Sequence, residues 1–154
     1  MLNNIKNKFL RNIIFKIILW RKLPLISYCN PSIVKSASNY VSIIIPLKRR
    51  TKNHLKTMYF GALCVGADFT GGLLVLNLIK KHNSKANLIF KDFDASFLKR
   101  GDSDVLFECD DHEIIEKNVL ENLASSKRVN FKIEVRAFAK SQLIAKFYLT
   151  TSIK

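Results

Sequence analysis

The chain has 154 residues, with 26 Lys and Arg against 12 Asp and Glu, and a formal net charge of +14. That length suits one domain with a substantial core, and 48% apolar with 25% charged residues argues against intrinsic disorder. Three separated cysteines and three scattered histidines match neither a disulfide framework nor a metal site, so we expect no metal and favour a reducing compartment such as the cytoplasm.

The positive charge is concentrated in the first part of the chain. Residues 1–67 carry 12 Lys and Arg and no acidic residue, whereas residues 68–154 carry 14 basic and 12 acidic residues. Such an asymmetric surface attracts anions. The candidate partners are a phosphate-rich small molecule, an acidic membrane and nucleic acid. Nucleic acid is the least favoured, because no nucleic-acid-binding motif is visible.

Residues 5–22 are predicted to form a basic amphipathic helix that ends before Pro24. Its apolar stretch never reaches the roughly 18–20 uncharged residues of a membrane span. No small-residue cleavage site follows a clean apolar core, so a secretory signal is not expected. The basic, acid-free composition is also typical of an organellar transit peptide. Four basic residues interrupt the apolar stretch: Arg11, Lys16, Arg21 and Lys22.

We interpret residues 1–29 as a basic N-terminal extension and residues 30–154 as the folded domain. The extension either packs on the domain or attaches peripherally to an anionic bilayer through residues 1–26. A turn is predicted at residues 30–32, and a strand over residues 40–47, which are rich in β-branched side chains.

A long apolar helix is predicted over residues 59–80, after a basic loop. Each glycine inside a helix costs about 1 kcal/mol relative to alanine, so several of them imply close approach of a neighbouring element or a ligand. A membrane span is not expected here, because the polar residues Asp68 and Asn77 lie within the helix. Four of the five glycines fall in this segment: Gly61, Gly66, Gly71 and Gly72.

Asp68 is the first acidic residue of the chain and lies about midway along this apolar helix. A lone carboxylate there is costly to bury unless something pairs with it or uses it. At about 100° per residue, Gly61, Asp68 and Gly72 share one helix face, with Cys64 beside them. Asp68 is either a catalytic acid or a structural carboxylate paired with a lysine. Cys64 is more typical of a small apolar core residue than of a nucleophile.

The second half of the chain alternates between apolar and polar residues, as half-buried antiparallel strands do. Strands are predicted over residues 87–98, 105–109, 129–137 and 143–149. A short helix capped by Asp110 separates the second of these from the third. The element order predicts an α+β domain in which an antiparallel sheet wraps around the long helix, with an extra N-terminal helix and a short helix between later strands.

Two segments resemble the hotdog-fold thioesterases. Residues 53–63 (NHLKTMYFGAL), followed by Ala67-Asp68, are similar to the family pattern NHxGTxxGGA followed by LAD or LAE. Residues 89–101 (IFKDFDASFLKRG) are similar to a second pattern, DKxxxxFLKPG. The resemblance covers about residues 30–152. It is strongest to an uncharacterised bacterial branch, a domain of unknown function related to phenylacetyl-CoA-type thioesterases.

The resemblance implies a hotdog fold, homodimers that often pair into tetramers, and acyl-CoA sites at the dimer interface. It also implies thioester hydrolysis without a metal or a cofactor other than the coenzyme A of the substrate. Asp68 matches the acid that activates water or attacks the carbonyl. Gly61 matches the oxyanion donor in the first turn of the helix. Asn53 would hold the water or the carbonyl, although it also suits an ordinary turn, and His54 is its neighbour.

The same resemblance leaves two functions open. Tyr59 and Phe60 stand where relatives often carry His-Gly, and they either reshape the acyl pocket or close it. Lys56 replaces a frequent glycine. The chain is therefore either an acyl-CoA thioesterase or a non-catalytic hotdog protein that binds acyl-CoA or lipid, with or without peripheral membrane attachment. The basic loop would bind the phosphates of coenzyme A, or is a solvated face; its basic residues are Lys48, Arg49, Arg50, Lys52 and Lys56.

Overall fold

The structure, a computed structural model, describes residues 16–154. Residues 16–22 are helical (α1), and a second helix, α2, occupies Pro24–Cys29. The predicted helix over residues 5–22 is thus observed from residue 16 onward, and its part over residues 5–15 lies outside the described residues. Leu19, Ile26 and Cys29 are buried, so both short helices pack on the core. The division of the chain at residue 29 stays a prediction.

Six antiparallel strands form one sheet in the order β1-β2-β4-β5-β6-β3. The sequence does not predict β1, because all five of its residues are exposed and give no alternation. β1 and β3 are the two edges of the sheet. The strands are β1 (Ser32–Ser36), β2 (Val41–Ile45), β3 (Leu88–Phe97), β4 (Val105–Cys109), β5 (Val129–Ala139) and β6 (Gln142–Ile153).

The longest hairpin, β5–β6, follows directly from the alternating sequence. Along β5 the odd-numbered residues from Val129 to Ala139 are buried, and the intervening residues face outward. Lys140 and Ser141 form the turn with φ of 49° and 63°. Positive φ at both central residues gives the turn the twist that matches the two strands. The buried face of this hairpin packs against the long helix.

That helix, α3 (Phe60–Lys81), crosses the concave face of the sheet and forms the centre of the core. By length and composition α3 is apolar enough to span a membrane, but most of it is buried in the domain. A side chain at Gly66 would collide with the ring of Phe107, and a Cβ at Gly71 would lie 2.9 Å from Ile133 Cδ1. These glycines let the helix approach β4 and β5 closely. The predicted hotdog architecture is confirmed.

The short helix α4 (His112–Ser125) connects β4 to β5 and packs through Ile115 and Val119. The prediction that Asp110 caps it is wrong. The N-cap residue is Asp111, and it makes no side-chain capping bond. Asp110 instead accepts a hydrogen bond from Arg136 at 2.8 Å, and Asp111 accepts one from the backbone N–H of Glu134. Both carboxylates therefore fix the connection to β5.

Candidate active site

The N-terminus of α3 is held against the basic loop, which we define as residues 48–56. Tyr59 is the N-cap residue, and its backbone N–H donates to the carbonyl of Thr51 at 2.8 Å. The backbone N–H groups of Phe60 and Gly61 have no acceptor within residues 16–154. They are free donors at the positive end of the helix dipole, where an anion or a developing oxyanion is stabilised.

The side chain of Tyr59 covers the glycine of this first turn. A Cβ built on Gly61 would lie 2.7 Å from Tyr59 Cε1. The space that the missing side chain was expected to leave for a substrate carbonyl is therefore filled by the tyrosine ring. Tyr59 is half-exposed, so its ring can leave this position by rotating toward solvent. A substrate carbonyl can occupy the space beside Gly61 only after such a movement.

Asp68 is half-buried on α3 and has no hydrogen-bond or ion-pair partner in the described part of the chain. Desolvation by burial raises the pKa of its carboxyl group above the ordinary value of 3.8. A carboxylate that is poorly solvated and unpaired is a stronger base than an exposed one. The alternative of a structural carboxylate paired with a lysine finds no support within residues 16–154.

Gly61 and Asp68 lie on the same face of α3, seven residues apart. At 1.5 Å per residue their Cα atoms are about 10 Å apart along the helix axis, and the Asp68 side chain points back toward Gly61. This axial separation favours a water molecule between the carboxylate and a carbonyl bound at Gly61 over direct contact of the two.

A row of aromatic side chains leads from the start of α3 to the edge strand β3. The Phe60 ring centroid is 4.8 Å from that of Tyr59 and 6.4 Å from that of Phe97. Phe97 and Phe93 both contact the buried Phe147, at 5.9 Å and 5.6 Å. We call the exposed members of this set, Tyr59, Phe60, Phe93 and Phe97, the aromatic row. It offers an apolar surface beside the first turn of α3.

Asn53 and His54 do not converge on this site. Asn53 Oδ1 accepts hydrogen bonds from the backbone N–H groups of Leu55 and Thr57, and its Nδ2 donates to Thr57 Oγ1 at 3.0 Å. The Asn53 side chain thus organises its own turn, as asparagine commonly does. His54 is exposed and makes no hydrogen bond in the part of the chain that the structure describes.

The basic loop is rigidly anchored but its charged side chains are free. Thr51 is fully buried; its Oγ1 donates to the carbonyl of Pro46 at 2.7 Å and accepts from the N–H of Lys48. Sequence reasoning missed this residue, which carries no charge and sits among basic ones. The Arg50 guanidinium donates a hydrogen bond to the Tyr28 carbonyl at 3.2 Å. The other basic side chains, which are all exposed and have no acidic partner within residues 16–154, are Lys48, Arg49, Lys52 and Lys56.

The two sequence segments that carry the family resemblance meet in space. Met58 donates its backbone N–H to the carbonyl of Gly101 at 2.7 Å. A Cβ on Gly101 would lie 3.2 Å from Met58 Cβ and 3.1 Å from Ile144 Cδ1. The end of the second segment therefore supports the start of α3. Phe97, from the same segment, extends the aromatic row, a role that its sequence position did not reveal.

Other titratable groups near α3 do not suit catalysis. Burial raises the pKa of the Cys64 thiol, which favours the protonated, non-nucleophilic form. Among the described residues, no group of His, Cys, Asp or Glu side chains is arranged to hold a metal ion. The chemistry available at this face is that of one carboxylate, two free backbone amides and an apolar surface.

One protein family matches most of the chain. A family described as a domain of unknown function (DUF4442) matches residues 11–151. The chain belongs to this family. No curated protein matches the chain.

Solved structures of other proteins share the fold of this chain. A candidate thioesterase from Shewanella oneidensis superposes with a TM-score of 0.78 at 18% identity, covering 91% of this chain and 94% of that one. A thioesterase from Haemophilus influenzae gives 0.67 at 14% identity, with coverage of 100% and 95%. A protein of unknown function from Chlorobaculum tepidum gives 0.80 at 14% identity, with coverage of 92% and 93%. At these identities the shared property is the fold.

Proposed function

We propose that this protein is an acyl-CoA thioesterase in which Asp68 is the catalytic carboxylate. The observation that carries the proposal is the half-buried Asp68, unpaired in the described part of the chain, on the same helix face as the free amides of the first turn. Such a group is costly to the fold, and carboxylates perturbed in this way are concentrated at functional sites. The thioesterase of Haemophilus influenzae on the same fold supports this choice.

In the proposed reaction the thioester oxygen accepts hydrogen bonds from the N–H groups of Phe60 and Gly61. Asp68 takes a proton from a water molecule, whose oxygen attacks the carbonyl carbon. The negative charge that develops on the carbonyl oxygen is stabilised by the two amides and the helix dipole. The tetrahedral intermediate then collapses, the C–S bond breaks, and the proton on Asp68 passes to the leaving thiolate. Free acid and coenzyme A are the products.

The acyl group would lie against the aromatic row, and the phosphates of coenzyme A against the basic loop. Water between Asp68 and the carbonyl fits the axial spacing of about 10 Å better than direct attack by the carboxylate does. Asn53 would contribute indirectly, by holding the loop that precedes α3. We also propose a homodimer, in which the exposed edge strand β3 and its apolar residues are covered by a second copy.

A non-catalytic role in binding acyl-CoA or lipid is the second candidate. The observation in its favour is the Tyr59 ring, which occupies the space beside Gly61. If the ring stays there, a thioester reaches the apolar surface but its carbonyl group cannot enter the space beside Gly61.

Hydrolysis of a panel of short, medium, long and aromatic acyl-CoAs separates the two functions. Coenzyme A release is followed by chromatography, because the chain's own cysteines would react with thiol reagents. The wild type is compared with Asp68→Asn and with Glu121→Gln, an equally isosteric change at an exposed site on α4, away from the proposed site and from β3. Hydrolysis by the wild type and Glu121→Gln alone supports the thioesterase. No hydrolysis by any protein, together with thermal stabilisation by acyl-CoA, supports the binding protein.

A further inference from the structure

The two N-terminal helices expose an unusual amount of apolar side chain. Trp20 is 70% exposed and Leu25 67% exposed, far more than core packing explains. Scattered apolar residues are normal on soluble surfaces, but a dense group of them in one surface segment is typical of an interaction site. We call this group the N-terminal patch. It comprises six exposed residues within one short segment: Ile17, Ile18, Trp20, Leu23, Leu25 and Tyr28.

Positive charge surrounds the N-terminal patch. Lys16, Arg21 and Lys22 are exposed on α1 itself. The basic loop adjoins α2, because the Arg50 guanidinium lies 5.6 Å from the Tyr28 ring centroid and donates to the Tyr28 carbonyl. No acidic residue precedes Asp68 in the sequence, so the patch contains no carboxylate of its own.

We propose that the N-terminal patch binds the surface of an anionic lipid bilayer. Trp and Tyr favour the boundary between headgroups and acyl chains, and Leu and Ile insert just below it. The flanking Lys and Arg stay at headgroup level and are attracted to negatively charged lipids. Attachment is peripheral, because the one described helix that is long enough to span, α3, is buried in the domain. This inference does not depend on catalysis by Asp68.

The other large apolar surface, at β3, has a different chemistry. β3 is an open sheet edge with unpaired backbone groups and carries Asp92 and Asp94 among its exposed residues. Unpaired strand edges suit another strand, and carboxylates are repelled by anionic lipids. The N-terminal patch is helical, so its backbone is already hydrogen-bonded, and it is purely basic. Because of these two differences, the N-terminal patch on α1 and α2 suits an anionic bilayer better than β3 does.

Trp20 is the only tryptophan in the chain, so tryptophan fluorescence of the full-length protein reports on this patch alone. The probe is a set of extruded vesicles of phosphatidylcholine, with or without 30 mol% phosphatidylglycerol (roughly the anionic content that makes surface potentials substantial). The proposal predicts a blue shift of the emission with anionic vesicles, quenching by brominated acyl chains, and reversal of both by high salt.

Pairs of equivalent substitutions, one inside the N-terminal patch and one outside it, test whether the patch is what contacts the vesicle. Leu25→Glu in the patch should abolish vesicle co-sedimentation, whereas Leu120→Glu, at an equally apolar exposed site on α4, should leave it unchanged. Arg21→Glu with Lys22→Glu should weaken binding about tenfold or more, because each basic residue near the surface contributes and each reversal adds repulsion. The control reversal is Lys85→Glu with Lys127→Glu, which are exposed elsewhere. Circular dichroism confirms that each variant is folded.

Three results would overturn the proposal. One is a Trp20 emission that no vesicle changes. Another is equal binding to neutral and anionic vesicles. The last is an emission that changes with protein concentration and not with lipid, since that would assign the patch to a second copy of the chain.

Discussion

At Asp68, burial in the folded protein favours the neutral carboxyl group, whereas the proposed catalysis needs the ionised carboxylate. Burial raises the pKa of the carboxyl group above 3.8, so the folded protein binds that proton more tightly than the unfolded chain does. Its contribution to stability is therefore most favourable below pH 3.8, where both states are protonated. That contribution is lost as the pH rises through the folded-state pKa. The ionised form of Asp68 therefore costs stability, and the proposed catalytic role would account for that cost.

We predict that Asp68→Asn raises the urea midpoint of unfolding at pH 7, and that the gain is smaller at pH 4. The neutral amide avoids the desolvation of a charge, and a larger fraction of the wild-type carboxyl group is protonated at pH 4 than at pH 7. Glu121→Gln, at an exposed site on α4, should change stability by less than about 0.5 kcal/mol at either pH. Destabilisation by Asp68→Asn at pH 7 would show instead that a partner stabilises the carboxylate.

Lys56 has a left-handed backbone conformation, with φ of 61°, at the position where related sequences often have glycine. A side chain in this conformation costs about 1–2 kcal/mol, which glycine avoids. Lys56→Gly is expected to raise the free energy of unfolding by about 1 kcal/mol, measured by urea titration. Lys56→Ala removes the same charge but keeps the strain, so it should give no gain. Equal stabilisation by both would assign the effect to charge.

Among the elements, the basic loop and the start of α3 form one unit. Buried Thr51 and the Asn53 turn hold the loop, and the Thr51 carbonyl receives the N–H of Tyr59. The loop therefore presents its cations beside the free amides of the helix. Both features attract an anion.

If the loop binds the nucleotide phosphates, Lys48→Ala with Arg49→Ala should raise the KM for acyl-CoA about tenfold, at up to about 1 kcal/mol per charge. The kcat of this double variant should not change, because the proposed reacting atoms lie at α3 and not at the basic loop. For an acyl-pantetheine thioester, which lacks those phosphates, neither constant should change. Lys85→Ala with Lys127→Ala is the matched control. Equal losses with both substrates would mean that the loop positions α3 and does not bind phosphate.

The elements differ in how far the sequence predicts them. The hairpin β5–β6 and helix α3 follow from alternation and from a long apolar run, because both are buried by the same core. β1 has no buried face, so only its hydrogen bonds to β2 reveal it. Asp68 is evident as a lone acid, whereas the Tyr59 ring over Gly61 depends on a rotamer that no sequence pattern encodes.

At the scale of the whole molecule, β3 is the strand that we expect to form the interface between two copies of the chain. This ten-residue edge strand has exposed apolar side chains, a feature that monomeric proteins usually avoid. We predict that hydrogen exchange slows at the outward amides of β3 as protein concentration rises, in step with dimers seen by sedimentation. The other edge, β1, should show no such change. Dimers that leave β3 exchange unaltered would place the interface elsewhere.

The net charge of +14 is also distributed unevenly over the chain. The basic first part of the chain forms the N-terminal patch and the basic loop, and the nearly neutral remainder forms the larger part of the sheet. An acyl-CoA at a bilayer surface has both a phosphate-rich end and an apolar end. The two proposals, tested separately, would together place the enzyme where such substrates partition.

The most direct test of the catalytic claim is kcat for Asp68→Asn on the best acyl-CoA in the panel, with acyl-CoA affinity measured separately by calorimetry. General-base catalysis contributes at least about 100-fold, so kcat should fall by that factor while the affinity stays within about twofold. A variant that binds acyl-CoA and hydrolyses it within a few-fold of the wild-type rate would contradict the role of Asp68.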